Sequence, residues 1–177
     1  MPSESSTPVP TPVRPSFIIH ERDVEETTFS YPDSPEVHSP SRALGEAAGL
    51  KRTGIHVERI LPGTRTSFPH AEEDEEEWAY VIEGTPSVWI DGVLHPLRPG
   101  DFVGFPAGTG ICHVFLNDSA TEARVLIGGE KSKPTNRIFY PCNTERRAQM
   151  EPQRWWPLDS TWAAAGPHNG KPALTRR

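Results

Sequence analysis

The chain has 177 residues and a net charge of −6, with 18 lysines and arginines against 24 aspartates and glutamates. That length suits one domain, and the acidic balance speaks against a broad cationic surface for nucleic acid or anionic lipid. Hydrophobic residues make up 34% and prolines number 20, which disfavours a helical bundle because proline breaks helix interiors.

Residues 1–16 hold five prolines among serines and threonines and no aromatic side chain. Too little apolar surface is present there to offset ordering entropy, so a disordered tail is expected. The start, MPSESSTPVP, lacks the basic segment and apolar run of a secretory signal, and no stretch approaches the ~18 apolar residues of a membrane span. Cys112 and Cys142 show no CxxC spacing, and reduced thiols in a cytoplasmic protein are expected. Ser16–His20 reads as a first strand and Glu21–Pro40 as a polar wrapping arm. Ser39-Pro40-Ser41 then reads as a cap and first turn for a short helix over Arg42–Ala48, closed by Gly49. Residues 17–52 thus form an arm with a short helix.

From Thr53 the pattern turns to short runs between turn signals. Strands are predicted at Thr53–Leu61, Glu77–Glu83, Ser87–Ile90, Val93–Leu97, Asp101–Phe105, Cys112–Leu116, Glu122–Ile127 and Arg137–Tyr140. Asp91-Gly92 between two of them is a strong hairpin signal. Eight strands at spacings near ten residues suggest an all-β sandwich or closed barrel over 53–145. Residues 146–177 carry Trp155, Trp156 and Trp162, and are expected to pack as a tail on the barrel.

Six consecutive acids, Glu72–Glu77, account for the whole net charge, and most of them read as a solvated loop. Glu77 differs. Strand alternation puts it on one face with Ala79 and Val81, so it enters the interior if they do. A carboxylate there needs a partner. His70 and Glu72 share a face by the same two-residue spacing, and the three together offer nitrogen and oxygen donors to a divalent metal.

These residues sit in a recognisable frame. Gly63-x6-His70-x-Glu72-x4-Glu77-x6-Gly84 resembles the first cupin motif, G-x5-H-x-H-x3-4-E-x6-G, and Gly100-x5-Pro106-x-Gly108-x4-His113-x3-Asn117 resembles the second, G-x5-P-x-G-x2-H-x3-N. The chain is thereby similar to small single-domain cupins, including those found beside fungal polyketide pathways. The resemblance implies a double-stranded β-helix (jelly-roll) barrel, a homodimer, and metal ligation by His70, Glu77 and His113. Glu72 stands where the family has a histidine, and two histidines with two carboxylates favour manganese, iron or zinc over copper. Cys112 should point away from the site.

The expected function is that of a metal-dependent enzyme acting on a small oxygenated metabolite: a tailoring oxidoreductase, or an isomerase or lyase working by proton transfer. Glu72, and His56 on the strand leading into the site, are candidate proton-transfer residues. Arg65 and Phe68 are candidate substrate contacts. No nucleotide cofactor is expected, since no Gly-x-Gly-x-x-Gly fingerprint is present. A non-catalytic small-ligand-binding cupin is the competing reading.

Overall fold

A computed structural model describes residues 13–32, 34–158 and 166–173. Most of the expected tail, and Trp162, lie outside the described residues. In chain order the elements are β1 (Ser41–Arg42), α1 (Leu44–Ala47), β2 (Thr53–Ile60), β3 (Ala71–Glu72), β4 (Glu77–Glu83), β5 (Ser87–Ile90), β6 (Val93–Pro96), β7 (Phe102–Phe105), β8 (His113–Leu116), β9 (Ala123–Glu130), β10 (Ile138–Phe139) and α2 (Arg146–Gln149). The strands form a five-stranded sheet ordered β1-β2-β9-β4-β7, a three-stranded sheet ordered β6-β5-β8 and a β3–β10 pair. All their pairings are antiparallel, as a jelly roll requires.

The β5–β6 turn is made by Asp91 and Gly92, both with positive φ (45° and 91°). That is the backbone a two-residue hairpin needs. Gly92 is needed for a second reason: a Cβ there would lie 2.1 Å from the Gly166 carbonyl oxygen, so the C-terminal segment crosses the hairpin at backbone distance.

Two apolar clusters hold the layers. Ile60, Ala79, Val81, Val88, Phe115 and Val125 fill the space between the two larger sheets. Trp89, Val114 and Leu116 face the other way and are covered by Phe68, Phe139, Trp155 and Trp156. Strands β5 and β8 are therefore covered on both faces, whereas β6 at the sheet edge is largely exposed. Cys112 belongs to this outer cluster, on the side away from the interior.

The N-terminal region departs from the sequence reading in two places. Ser16–His20 is not a strand; the Ile18 N–H turns back to the Pro15 carbonyl oxygen, and Phe17 and Ile18 stay exposed. Ser41–Arg42 is a strand and not the start of a helix, because Ser41 exchanges both backbone bonds with Thr27 (2.8 and 2.9 Å) and pairs with Glu58. The helix shrinks to Leu44–Ala47, with Ala43 at its N-cap, and Gly49 follows at φ 82°. The arm folds back onto its own barrel through ion pairs of Glu21 with Arg124 and of Glu26 with Arg42 and Arg59.

Candidate metal centre

His70 and His113 meet as a cross-strand pair, each donating its backbone N–H to the other's carbonyl oxygen (3.1 and 2.9 Å). Their side chains therefore rise on one face, with ring centroids 5.1 Å apart. Glu77 reaches the same point from the opposite sheet, where it pairs with Phe105 of β7 and Gly129 of β9. Its Oε2 lies 3.4 Å from His70 Nε2 and 3.2 Å from His113 Nε2. The three side chains offer ligand atoms that all lie within 4.8 Å of one another.

The far sides of both rings fix which nitrogen faces the centre. His70 Nδ1 is 2.8 Å from the Phe68 carbonyl oxygen, and His113 Nδ1 is 3.4 Å from that of Ile111. A carbonyl oxygen only accepts, so each Nδ1 donates its proton outward and Nε2 is left for the interior. Phe105 stacks flat on the His113 ring at 3.4 Å, which holds its plane. This is the arrangement in which a metal-binding histidine has its orientation set by a second partner.

The electrostatics follow from burial and proximity. His70 is held up at about 9: burial opposes its charge, but Glu77, and then Glu72, favour it more strongly. The Glu77 carboxyl is pushed well below the carboxylate range; burial opposes this and the hydrogen bonds from His113 and His70 overcome it. Burial draws His113 down, so of the two imidazoles His70 is the one favoured to carry a positive charge beside Glu77. Oε2 and the two Nε2 atoms thus converge on a point for which a proton and a divalent cation would compete.

Glu72 lines the cavity beside this group but is not among its mutually close ligand atoms. Burial first and the charge of Glu77 second push its carboxyl up to about 8. The rest of the acidic run is not a freely solvated loop, contrary to the sequence reading. Glu73 pairs with Arg137, Asp74 accepts from Thr135 Oγ1 at 2.7 Å, and Glu75 is buried, accepting from the Lys133 backbone N–H. The segment after β9 supplies these basic and polar partners, which the local sequence of the run does not contain.

The cavity has a volume of about 250 Å³. His56 does not line it; half-buried on β2, it has a pKa lowered by burial. Arg65 does not line it either. Its guanidinium, with no exposed side-chain surface, grips Glu36 through Nε and Nη2 (2.6 and 2.7 Å) and donates from Nη1 to the Gly170 carbonyl oxygen (2.8 Å). Phe68 is buried and stacked on Tyr31 at 4.2 Å. Both side chains thus tie the arm and the C-terminal segment to the barrel.

The cavity also contains residues that sequence reasoning missed. The arm contributes Tyr31, and Tyr140 follows β10. Glu58 projects inward from β2, and its Oε2 is buried without a hydrogen-bond partner. Burial, and then the charge of Glu77, push its carboxyl up to about 8. Its spacing of two from Ile60 was the available signal.

A sequence profile described as the cupin domain matches residues 56–128. No curated protein matches the chain. Among solved structures, an Acidithiobacillus ferrooxidans protein with the provisional name sugar phosphate isomerase is 28% identical. That alignment covers 71% of this chain and 81% of the other, with a TM-score of 0.65. A sugar phosphate isomerase of the cupin superfamily from Silicibacter pomeroyi is 30% identical over 70% of this chain and 80% of its own, with a TM-score of 0.63. A polyketide cyclase from Streptomyces resistomycificus shares the fold at 22% identity, covering 77% and 94%, with a TM-score of 0.58.

Proposed function

The chain belongs to the cupin superfamily, and from that premise we propose that it is a metal-dependent enzyme moving a proton on a small oxygenated metabolite. The reaction is of the isomerase or lyase kind. The observation that carries this reading is the convergence of His70, Glu77 and His113, with both histidines donating outward from Nδ1. Two imidazoles and a carboxylate fit manganese, iron or zinc. A divalent ion held there supplies Lewis-acid polarisation of a carbonyl or enolate oxygen.

The remaining work belongs to the chain. Glu72, lining the cavity with a carboxyl near 8, exists in both protonation states around neutral pH and suits a general acid–base role. Tyr31 and Tyr140 keep their hydroxyl protons, since burial raises both pKa values, and they wall the cavity against water. The likeness to the Silicibacter sugar phosphate isomerase supports proton transfer over redox chemistry. Tyr80, Ile82 and Phe102 are exposed on β4 and the edge strand β7, which supports self-association as a homodimer, and two free thiols support a cytoplasmic location.

Elemental analysis of the purified protein tests the centre, and incubation with a panel of hydroxycarbonyl compounds in deuterated water tests the chemistry. Stoichiometric manganese, iron or zinc is expected, with deuterium appearing next to a carbonyl, and Glu72→Gln abolishing this while keeping the metal. Ligand binding by a reproducibly metal-free protein would instead favour a non-catalytic module.

A further inference from the structure

We propose, resting on that reading of the site, that the cavity selects a neutral, flat, hydroxylated ligand of one or two rings and rejects phosphorylated or sulfonated ones. Glu58 is the residue that sets the preference. The first observation is an electrostatic one. Among the described residues no lysine or arginine lines the cavity, whereas Glu58, Glu72 and Glu77 do. A phosphate group taken out of water needs guanidinium, ammonium or a fan of backbone N–H donors. The described α-helices are four residues long and provide no such fan.

Arg146 has a buried Nε without a hydrogen-bond partner, but its guanidinium is not among the residues that line this cavity. It lies over the rings of Tyr31 and Tyr140, 4.6 and 5.3 Å from their centroids, and donates from Nη1 to Gln149 at 3.0 Å. It lines a separate cavity beyond the two rings.

The second observation is the shape and polarity of the walls. Tyr31, Phe105, Phe115 and Tyr140 present aromatic surface around a space of about 250 Å³. That is below the ~300–1,000 Å³ of pockets for drug-sized ligands, so one or two rings fill it.

Glu58 supplies the third. Register places it opposite Val125 on β9, whose own partner on β4 is Val81, so its carboxyl is set among apolar side chains. The chain leaves its Oε2 unsatisfied. A buried acceptor without a donor is costly, and a ligand hydroxyl removes that cost. A ligand lacking one leaves it in place, which is how buried polar groups discriminate strongly. An anionic substituent there leaves water for a pocket with no lysine or arginine among its described lining residues to pair with it.

The test uses the full chain loaded with manganese, with metal content measured first, and three probes in calorimetric titration: naphthol, naphthalene sulfonate and ribose phosphate. Naphthol should bind at least about tenfold more tightly than the sulfonate of the same ring system, and ribose phosphate more weakly still. Glu58→Leu should lose about tenfold in naphthol affinity, whereas Glu58→Gln, which retains an oxygen, should stay within about threefold. Both variants should keep their manganese and a cooperative melt. Equal or tighter binding of either anion overturns the proposal. So does undetectable naphthol binding, or Glu58→Leu binding naphthol like the parent. Failure of manganese to bind the parent overturns the metal reading instead, and the probe ranking is then read on the metal-free chain.

Discussion

Glu58→Gln should change how stability depends on pH. The folded state holds the Glu58 proton up to about 8, against an ordinary value of 4.5 for the same carboxyl in the unfolded chain. As pH climbs through that window the unfolded chain gives up the proton and the folded chain keeps it. Stability is therefore lost with rising pH between those values and levels off above them. At about 1.4 kcal/mol per pH unit, the loss is roughly 3 kcal/mol between about pH 5 and pH 7.5. Glutamine cannot ionise, so its variant lacks this loss. An amide left without a partner adds only an offset independent of pH. The readout is therefore the gap between variant and parent melting temperatures in chelator, followed by circular dichroism across that range. For a chain of this size the gap should widen by roughly 6–12 °C in favour of the variant as pH rises. Parallel curves would show that Glu58 is solvated or ionised in the folded state, and would remove the argument that it is an unsatisfied buried group.

Three further outcomes are expected. Glu77→Gln should strip the metal, whereas Glu73→Gln and Glu75→Gln, whose partners are Arg137 and the Lys133 backbone, should leave elemental content unchanged. Because His70 is held at about 9, the metal-free site carries its proton at neutral pH. Binding a divalent ion should then expel about one proton, and affinity should rise about tenfold per unit from about pH 7 to pH 9; calorimetry in buffers of different ionisation heat reads this, and no buffer dependence would refute it. Glu36→Gln removes the bidentate partner of a guanidinium with no exposed side-chain surface, and should cost about 2–4 kcal/mol in urea unfolding. The Arg65 guanidinium holds the Glu36 pKa below its ordinary value against the opposing effect of burial, so this contribution is present at neutral pH and lost as pH falls through the lowered value.

The fold was legible in the sequence because its signals are local. Asp91-Gly92 encodes a two-residue turn by its backbone preferences alone, and alternation along Glu77–Glu83 separates inward Ala79 and Val81 from exposed Tyr80 and Ile82. Glu77 is carried inward by the same alternation, with two histidines at motif spacing to meet it. What tertiary structure alone decided is which face of β2 is the inside. Ile55 and Val57 are its apolar choice, yet Val57 is buried on the face that bears Arg42 of β1, and Ile55 abuts Gly45 of the helix. Pairing with β9 turns His56, Glu58 and Ile60 to the interior side instead, because Ile60 opposes Ala123 and Glu58 opposes Val125. A strand covered on both faces loses the hydrophobic contrast that marks its inner side, so Glu58 became visible only through its neighbours. Arg65 escaped for a related reason: its partners, Glu36 and Gly170, lie 29 and 105 residues away, and no local pattern announces contacts at that distance.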